Sequence, residues 1–423
     1  MFLSLRNLGK IKTADIEINA ITVIAGENNT GKNTVGKTLF CILNSFYEID
    51  NKIEEDRISD IVFRISRAYI DAKGSINSFD IVKLAKSIIA NKNMYIDAGH
   101  ELQQCIEEFL IEEEPIFKKY IKKGKFDYVA DDIIRILDIP NNEIMFTVLH
   151  NKMQAEFDMQ INNVFDETGM SEITLGINDT EVKIQVKNNE EIEISDYLNL
   201  NAGVVYIDDP YALESLSPSD SHISTIFSFS NHREHLIACL EDRKRTSDVI
   251  EIIASKKLDK VLEILYSVCT GKMVKRSNSS FVYMEDRPDK MIDIVNVSTG
   301  LKTFAIIKTL LVNGWLEENG TIIFHKPEIH LHPEWQLVLA ELIVLIQKVF
   351  NMHILLNTHS PYFLDAIEVY SHKHGIADKC KYYLAEASGT MSVITDVSEN
   401  IELIYAKLAR PLQVLENERN SYE

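Results

Sequence analysis

The feature that most constrains this chain is the stretch from Gly26 to Thr34, which reads GENNTGKNT. The apolar run at 20–25 before it predicts a buried strand, and the run from Val35 to Phe46 after it predicts a helix. A glycine-bounded loop between a strand and a helix is the setting of a phosphate-binding P-loop. In such a loop, backbone N–H groups and the positive end of the helix point at one anion. The stretch therefore predicts that the chain binds a nucleotide.

The position after the P-loop lysine departs from the usual motif. Lys32 is expected to reach the outer phosphates, and the next residue is normally a Ser or Thr whose hydroxyl binds Mg²⁺. Here that residue is Asn33, whose amide oxygen can bind Mg²⁺ but cannot ionise, while Thr34 supplies a hydroxyl one position later, where it would meet an inner phosphate. The loop residues that we expect to contact the nucleotide are Gly26, Asn28, Asn29, Thr30, Gly31, Lys32, Asn33 and Thr34.

Composition limits the class of protein and its partners. A length of 423 residues predicts two or three structural units. The formal net charge of -20 argues against a protein that coats nucleic acid by bulk electrostatics, although a local basic face stays open. Five scattered cysteines without a CxxC spacing favour reduced thiols. Because no apolar stretch reaches membrane-spanning length, we expect a cytoplasmic protein that does not enter a membrane.

The chain predicts an α/β body interrupted by helices. Three short strands are expected at 2–25, ahead of the P-loop. From about 50 to 165 the apolar residues recur with a helical period, over a length that exceeds a loop inside a compact domain. The predicted domains are an α/β head formed by 1–48 and 170–398, a helical insertion at 49–169, and a C-terminal helix and tail at 399–423.

Charge is segregated within the predicted insertion. Acidic residues between 107 and 114 are followed by lysines between 118 and 125. One interpretation is a solvated helical face with internal ion pairs. The other is that the Lys118–Lys125 cluster, with Phe117, Tyr120 and Phe126 interleaved, contacts nucleic acid or an acidic partner. The sequence leaves both interpretations open.

Two segments after the insertion end in polar residues. Alternating apolar residues at 172–194 predict a β-hairpin. A buried strand at 203–207 is followed by Asp208 and Asp209, which either face a site or form a turn before Pro210. The serine-rich residues 215–230 predict a mobile loop.

The second half of the chain carries motifs that fit beside a P-loop. Ser298 is suited to cap a helix that runs to Trp315, and Gly300 would let a backbone N–H approach a ligand closely. The strand at 321–325 ends in the sequence His325-Lys326-Pro327-Glu328, where acidic residues would hold Mg²⁺ and activate water. A further strand at 353–356 leads to His359, which would lie beside the nucleotide phosphates.

Together these stretches resemble the ATP-binding-cassette (ABC) class of P-loop ATPases, in the branch that includes RecF, SMC heads and OLD-type ATPases. The runs PEIHLHPEW at 327–335 and THSPYFL at 358–364 are especially similar to bacterial AAA-family ATPases of anti-phage systems such as Septu, PARIS and some retrons. The resemblance covers about 1–48 and 290–375. It implies an ABC-type ATPase head, with a mixed sheet and flanking helices, that binds ATP.

The resemblance also implies a homodimer or higher homo-oligomer, in which ATP lies between one P-loop and the signature motif of the partner. The signature residues that would act across the dimer are Ser298, Thr299, Gly300 and Lys302. His359 would be the switch histidine. A Q-loop glutamine is expected after the first lobe, and Gln160 is the candidate.

The positions at which this chain departs from the family all concern Mg²⁺ binding and the activation of water. A strand that should end in Asp-Glu-Pro ends here in His325-Lys326-Pro327, so the carboxylates that hold the Mg²⁺ water shell and activate water are missing. Mg²⁺ binding is therefore open, with Asn33 and His325 at the positions concerned. Lys326 would supply a positive charge in place of the metal, and Glu328 offers a nearby carboxylate. The catalytic candidates are His359, Lys326 and Glu328. We expect His330 and His332 to belong to the family loop rather than to a metal site.

Two functions follow. The first is an active ATPase in DNA repair or DNA end recognition, of the RecF or SMC type. The second is an ATP-bound scaffold or sensor of an anti-phage system, with weak or absent hydrolysis, that controls a separate effector, possibly a nuclease. The loss of carboxylates that stabilise the transition state favours the second, because it should reduce the rate while nucleotide binding survives.

Overall fold

The computed structural model describes residues 1–73, 80–97, 99–119, 126–166, 168–214, 231–244, 259–276, 281–285 and 290–422. These residues form two compact units. The first unit holds 1–47, 149–214 and the described residues from 231 onward, and the second holds those of 48–148. The predicted insertion at 49–169 extends beyond the second unit, since 149–169 lies in the first. The predicted loop at 215–230 lies outside the described residues.

Strands dominate the first unit. In chain order they are β1 (Phe2–Leu8), β2 (Ile11–Glu17), β3 (Ile21–Gly26), β4 (Met170–Ile177), β5 (Thr180–Lys187), β6 (Glu191–Ile194), β7 (Val204–Ile207), β8 (Lys272–Lys275), β9 (Phe281–Met284), β10 (Met291–Asp293), β11 (Thr321–His325), β12 (His353–Thr358), β13 (Cys380–Ser388) and β14 (Met391–Asp396). Among the described residues, β8 to β10 form a small separate sheet and the others form one sheet of eleven strands. The three strands predicted at 2–25 and the predicted hairpin are confirmed.

The large sheet combines a parallel and an antiparallel part. Its strand order is β6-β5-β4-β1-β2-β14-β13-β3-β12-β11-β7. The five strands from β13 to β7 are all parallel, while β6, β5, β4, β1 and β2 pair antiparallel. Strands β3, β7 and β11 are buried along their whole length. Continuous apolar runs such as theirs are typical of parallel strands covered on both faces.

Helices flank this sheet, so the predicted mixed α/β fold is confirmed. The helices of the described chain are α1 (Lys32–Phe46), α2 (Ile49–Lys73), α3 (Ile81–Ala90), α4 (Lys92–Asp97), α5 (Gly99–Glu113), α6 (Asp127–Asp138), α7 (Asn141–Phe157), α8 (His232–Glu241), α9 (residues 259–268), α10 (Thr299–Val312), α11 (Pro333–Phe350), α12 (Pro361–His374) and α13 (Glu402–Asn420). The core of the first unit joins α10, α11 and α12 to the parallel strands through Ile, Leu, Val and Phe side chains.

The second unit is helical and has its own core. Helices α2, α3, α5 and α6 enclose it, and Tyr69 stacks on Phe117 with ring centroids 4.5 Å apart. Phe117 and Phe126 are fully buried there, so neither can stack on a nucleic-acid base, which corrects that part of the nucleic-acid interpretation. Tyr120 and residues 121–125 of the lysine cluster lie outside the described residues.

Among the residues that the structure describes, no helix is both long enough and apolar enough to cross a bilayer.

Candidate functional site

The candidate site lies where four parallel strands end. Register pairs Ala25 of β3 with Thr358 of β12, and Asn357 of β12 with His325 of β11. Strand β7 lies on the other side of β11 and leads into Asp208. In open α/β sheets, ligands bind at the carboxyl ends of the strands. The topology therefore brings the P-loop, His325, the segment leading to His359, and Asp208 to one edge of the sheet.

The P-loop needs its two glycines. Gly26 has a φ of 135°, and a Cβ atom there would lie 2.2 Å from the carbonyl oxygen of Ala385. Gly31 has a φ of 76°, and its Cβ would lie 2.6 Å from the side chain of Ile11. Both φ values are ones that side chains rarely adopt. The curled loop and the start of α1 at Lys32 thus have the geometry that the sequence predicts.

Lys32 lies inside the curl of the loop. Its Nζ donates to the carbonyl oxygens of Gly26, at 3.2 Å, and Glu27, and to the hydroxyl of Thr30, at 3.1 Å. Burial and the nearby charge of Lys326 lower the pKa of Lys32 to about 8. Its hydrogen-bond acceptors are neutral oxygens of the loop itself. A phosphate oxygen can replace them and would add the attraction between its negative charge and the ammonium group. The loop therefore fits a nucleotide phosphate.

The end of β11 adds an imidazole, His325, and an ammonium group, Lys326, to the same place. Lys326 has a left-handed backbone, with φ 48°, and its N–H donates to Asn357 at 2.8 Å. Burial lowers the pKa of His325 to about 4, and the charge of Lys326 contributes. The pKa of His359 falls to about 4 because of burial and then the charges of Lys32 and Lys326. Both imidazoles are therefore neutral near pH 7, beside the ammonium groups of Lys32 and Lys326.

Buried polar atoms without a partner lie at the same edge. Within the described chain, His325 Nδ1, His359 Nε2 and Asn357 Oδ1 are buried and have no hydrogen-bond partner. Buried polar atoms are nearly always satisfied in folded proteins, so such a group calls for an explanation. A ligand at the strand ends would supply partners to the two imidazoles.

Glu328 connects the two strand ends rather than facing the P-loop. Its Oε1 accepts from the Thr358 hydroxyl at 2.6 Å and from the His359 N–H at 3.1 Å. Burial raises its pKa, against these hydrogen bonds. We assign Glu328 the role of holding the segment that carries His359. This differs from the catalytic role considered for it from sequence, although its buried Oε2 has no partner in the described chain.

The residues present do not fit an ordinary Mg²⁺ site. Mg²⁺ prefers an octahedron of oxygen ligands, usually including one or two carboxylates. The end of β11 offers an imidazole and an ammonium group instead, and Asn33 is exposed. No cluster of three or more His, Cys, Asp or Glu side chains in the described ranges is arranged to hold a metal ion. A magnesium ion here would thus rely on the nucleotide and water for most of its ligands.

A family model of the AAA ATPase domain matches residues 1–364 of the chain. The chain belongs to the AAA ATPase domain family. Solved structures similar to it include an SMC head bound to the C-winged helix domain of ScpA (10% identity, 93% of this chain and 97% of that chain covered, TM-score 0.44). Another is the SMC head domain from Thermotoga maritima (9% identity, 94% of this chain and 98% of that chain covered, TM-score 0.38). A third is a Pyrococcus furiosus SMC head with an extended coiled coil bound to the C-terminal domain of ScpA (10% identity, 99% of this chain and 98% of that chain covered, TM-score 0.43).

A buried charge network that the sequence did not predict lies beside the site of this ATPase domain. His232, at the start of α8, donates its backbone N–H to Glu156 at 2.8 Å, and its Nδ1 lies 2.6 Å from the other oxygen of that carboxylate. Its Nε2 lies 3.4 Å from Asp208, which also accepts from Arg233 at 2.6 Å. Lys37 of α1 lies 3.5 Å from Glu156. The network connects the P-loop helix to the end of β7.

The network fixes the charges of its members. Burial opposes the charge on His232, but hydrogen bonds to Asp208 and Glu156 raise its pKa. Burial likewise opposes ionisation of Asp208, but His232 and Arg233 lower its pKa. Asp209 is different: its carboxylate accepts from the Tyr211 N–H at 2.9 Å and forms the turn. The sequence left open whether Asp208 and Asp209 face a site or form a turn. In the structure Asp208 faces the site and Asp209 forms the turn. A Glu and a His 76 residues apart in the chain carry no local sequence signal.

Gln160 does not occupy the end of a core strand. Helix α7 ends at Phe157, earlier than the helical period to about 165 predicts, because Asp158 and Met159 adopt left-handed backbone conformations. The following residues run beside β1, where Ile161 accepts from the N–H of Gly9 at 3.0 Å. Gln160 is exposed in this segment. The end of the neighbouring parallel strand carries Asp208 instead.

Two residues of the signature segment, Gly300 and Lys302, make contacts inside the chain. Ser298 occupies the N-cap position of α10, but its side chain makes no capping hydrogen bond. Gly300 packs closely, since a Cβ there would lie 3.1 Å from Leu331 and 3.2 Å from the carbonyl oxygen of His330. Lys302 is only 1% exposed and its ammonium pairs with Glu214. The Lys302 ammonium is therefore not presented to a partner, whereas Thr299, which lies 3.3 Å from the Tyr211 hydroxyl, is near the surface.

Proposed function

We propose that the chain is an ATP-binding subunit of ABC type that acts as a nucleotide-dependent scaffold or sensor, with weak or absent hydrolysis. The observation that carries this proposal is the end of β11, where the imidazole of His325 and the ammonium group of Lys326 stand and where the charge of Lys326 acts on Lys32 and His359. In this proposal the Lys326 ammonium stabilises the triphosphate in place of Mg²⁺. Lys32 and the N–H groups of the P-loop bind the phosphates, and His359 contacts the terminal phosphate.

The proposal includes partners. ATP would join two copies, with Ser298, Thr299 and Gly300 of one copy contacting the nucleotide on the other, while Lys302 supports α10 from inside. The resemblance to anti-phage ATPases favours a cytoplasmic defence system in which the bound state controls a separate effector, possibly a nuclease. Contact with nucleic acid would then be made by that assembly. The resemblance alone supports the defence role.

An active ATPase of the DNA-repair type is the second candidate. Asp208 favours it, because this ionised carboxylate lies at the end of the strand next to β11 and its charge acts on His325. A carboxylate at that place would orient water or metal only if it exchanged its contacts with His232 and Arg233. The commitment of Asp208 to these contacts makes this candidate the weaker one.

Binding and hydrolysis of ATP on one purified sample test the proposal. We expect the dissociation constant for ATP to change by less than about tenfold between excess Mg²⁺ and excess EDTA, because the protein supplies the countercharge itself. We also expect no Mg²⁺-dependent turnover above the background measured with a Lys32→Ala sample. Affinity that collapses in EDTA, or turnover at ordinary ATPase rates, would favour the active enzyme. An Asp208→Asn variant would then show whether Asp208 supplies the carboxylate.

ATP affinity should fall as the pH rises above about 8. The free protein holds the pKa of Lys32 near 8, and a bound triphosphate raises it, so ATP binding takes up a proton in this range. By linkage, the dissociation constant should increase by up to about tenfold per pH unit above 8, until the raised pKa is reached. Titration calorimetry between pH 7.5 and 9.5, in two buffers of different ionisation enthalpy, measures both the affinity and the proton uptake.

The matched control for this pH dependence is Lys32→Arg. The guanidinium does not titrate in proteins, so the slope between pH 7.5 and 9.5 should disappear in this variant, even if its affinity is lower. A native protein whose affinity is constant over that range would show that Lys32 does not lose its proton there.

A further inference from the structure

The turn between β1 and β2, formed by Gly9 and Lys10, lies against the P-loop. A Cβ atom on Gly9 would lie 3.2 Å from the hydroxyl oxygen of Thr34, the residue that the sequence predicts beside an inner phosphate. The Ser392 hydroxyl of β14 lies 3.1 Å from the carbonyl oxygen of Lys10 and 2.9 Å from that of Thr30. The turn is therefore a neighbour of the inner-phosphate end of the loop.

The segment after α7 is joined to this turn and carries an exposed aromatic ring. The Gly9 N–H donates to the carbonyl oxygen of Ile161 at 3.0 Å, and the Asn163 N–H donates to that of Asn7 at 3.1 Å. The side-chain oxygen of Asn163 accepts from the Phe165 N–H at 2.8 Å. The backbone of Phe165 is thus fixed relative to β1, while the residue is 49% exposed.

Lys10 connects the Phe165 ring to the turn. Its Nζ lies 5.4 Å from the centroid of that ring, which is a cation–π contact. Within the described residues, the Lys10 ammonium group has no carboxylate partner. In a chain whose formal net charge is -20, such an ammonium group beside a phosphate-binding loop favours an anionic ligand. Because Lys10 lies over one face of the half-exposed ring, the other face is available to a second planar group.

We propose that Phe165 is the stacking platform for the base of the bound nucleotide, with Lys10 beside it toward the phosphates. The inference deepens the proposed function and rests on it, since it names residues that bind the nucleoside part of ATP. Lys32 and Thr34 would hold the outer and inner phosphates, and the turn beside Thr34 leads on to Phe165. A purine ring offers the flat face that stacks on an aromatic side chain. Such a contact strengthens binding without selecting adenine, because it depends on the face of the ring and not on its edge.

Binding of ATP and of inorganic tripolyphosphate, measured by calorimetry in the same buffer, tests the platform. Tripolyphosphate has the phosphate chain without the base and the ribose. Phe165→Ala should raise the dissociation constant for ATP by about 5- to 150-fold, the usual effect of removing one base-stacking ring. The dissociation constant for tripolyphosphate should stay unchanged.

Two further variants control for the aromatic ring and for the segment. Phe165→Tyr keeps a ring and should bind ATP with native affinity. Val164→Ala removes an exposed apolar side chain from the same segment and should change neither dissociation constant.

Phe165→Trp reports the contact directly. Its added fluorescence should be quenched by ATP and not by tripolyphosphate, because a base stacked on an indole ring quenches its emission. The native chain has two tryptophans, Trp315 and Trp335, and gives the background signal.

Two results would overturn the platform. If Phe165→Ala weakens the binding of tripolyphosphate as much as that of ATP, the ring supports the loop and does not contact the base. If Phe165→Ala binds ATP with native affinity, the base lies elsewhere. The proposed function fails in a different way: the native chain would hydrolyse ATP at ordinary rates, which leaves the comparison of the two ligands valid, or would bind neither ligand, which would overturn both proposals.

Discussion

The double variant His325→Asp with Lys326→Glu is expected to acquire Mg²⁺-dependent ATP hydrolysis that the native chain lacks. The two positions lie at the end of β11, beside β12 and one strand away from the P-loop strand β3. An aspartate at 325 would hold the water shell of Mg²⁺, and a glutamate at 326 would orient or deprotonate the attacking water. Removing a single group that stabilises a transition state commonly costs about 10²–10³ in rate. Restoring two should therefore raise turnover by at least roughly a hundredfold.

The same variant should also become dependent on metal. Exchanging the Lys326 ammonium for a carboxylate replaces a positive charge near Lys32 and His359 with a negative charge. ATP binding should therefore weaken in EDTA and recover with Mg²⁺, unlike in the native chain. The measurements are phosphate release and ATP affinity at matched Mg²⁺ concentrations. Each single variant is a control for the pair, and Lys32→Ala in the double-variant background should return turnover to background.

The native chain provides the opposing outcome. If it hydrolyses ATP at rates typical of ABC ATPases, then His325 and Lys326 do not disable the site, and another carboxylate must act. Asp208 is the first to examine, because its charge acts on His325, and Glu328 the second, because it already holds the segment of His359. Asp208→Asn and Glu328→Gln would distinguish them.

Replacing Lys32 should remove most nucleotide binding. The Lys32 ammonium lies inside the loop, on acceptors that a phosphate can replace. Loss of one charge-assisted contact costs about 2–3 kcal/mol, which is roughly 30- to 150-fold in the dissociation constant. Lys32→Ala and Lys32→Met should both show this loss, measured by calorimetry or by displacement of a fluorescent ATP analogue.

Controls separate this effect from unfolding and from general charge. Lys12→Ala removes an exposed lysine on β2 and should leave affinity unchanged. Circular dichroism melting shows whether the Lys32 variants remain folded, and Lys32→Met preserves most of the buried volume. If both Lys32 variants are folded and still bind ATP with native affinity, the nucleotide does not lie in the P-loop.

Local patterns explain what could be predicted. The strand, the P-loop and α1 are adjacent in the chain, and the positive φ of Gly26 and Gly31 leaves glycine as the natural residue at both positions, so sequence predicts this part of the site. The apolar strand β11 and its unusual end at His325 are visible for the same reason. Helix α7 ends earlier than the helical period to about 165 predicts, because the backbone turns at Asp158 to run beside β1 although apolar residues continue in the sequence.

Contacts between distant segments explain what could not be predicted. Lys302 follows the signature residues in sequence, but its ammonium group forms an ion pair with Glu214 only because α10 packs against the segment that carries Glu214. Glu156 and His232 belong to segments that carry no motif, and they become one network with Asp208 only when α7, α8 and β7 come together. Burial then decides the charge of each group, and burial depends on the complete fold.

The sequence by itself determined that this chain has a P-loop, an α/β sheet around it and a basic pair where carboxylates are expected, because each of these is written in consecutive residues. The tertiary structure decided which charges meet. It brought the charge of Lys326 close to Lys32 and His359, and it placed Asp208 beside β11. The physical reason is that electrostatic interaction and burial depend on distance in space, which the strand order sets and which the linear order of residues does not contain.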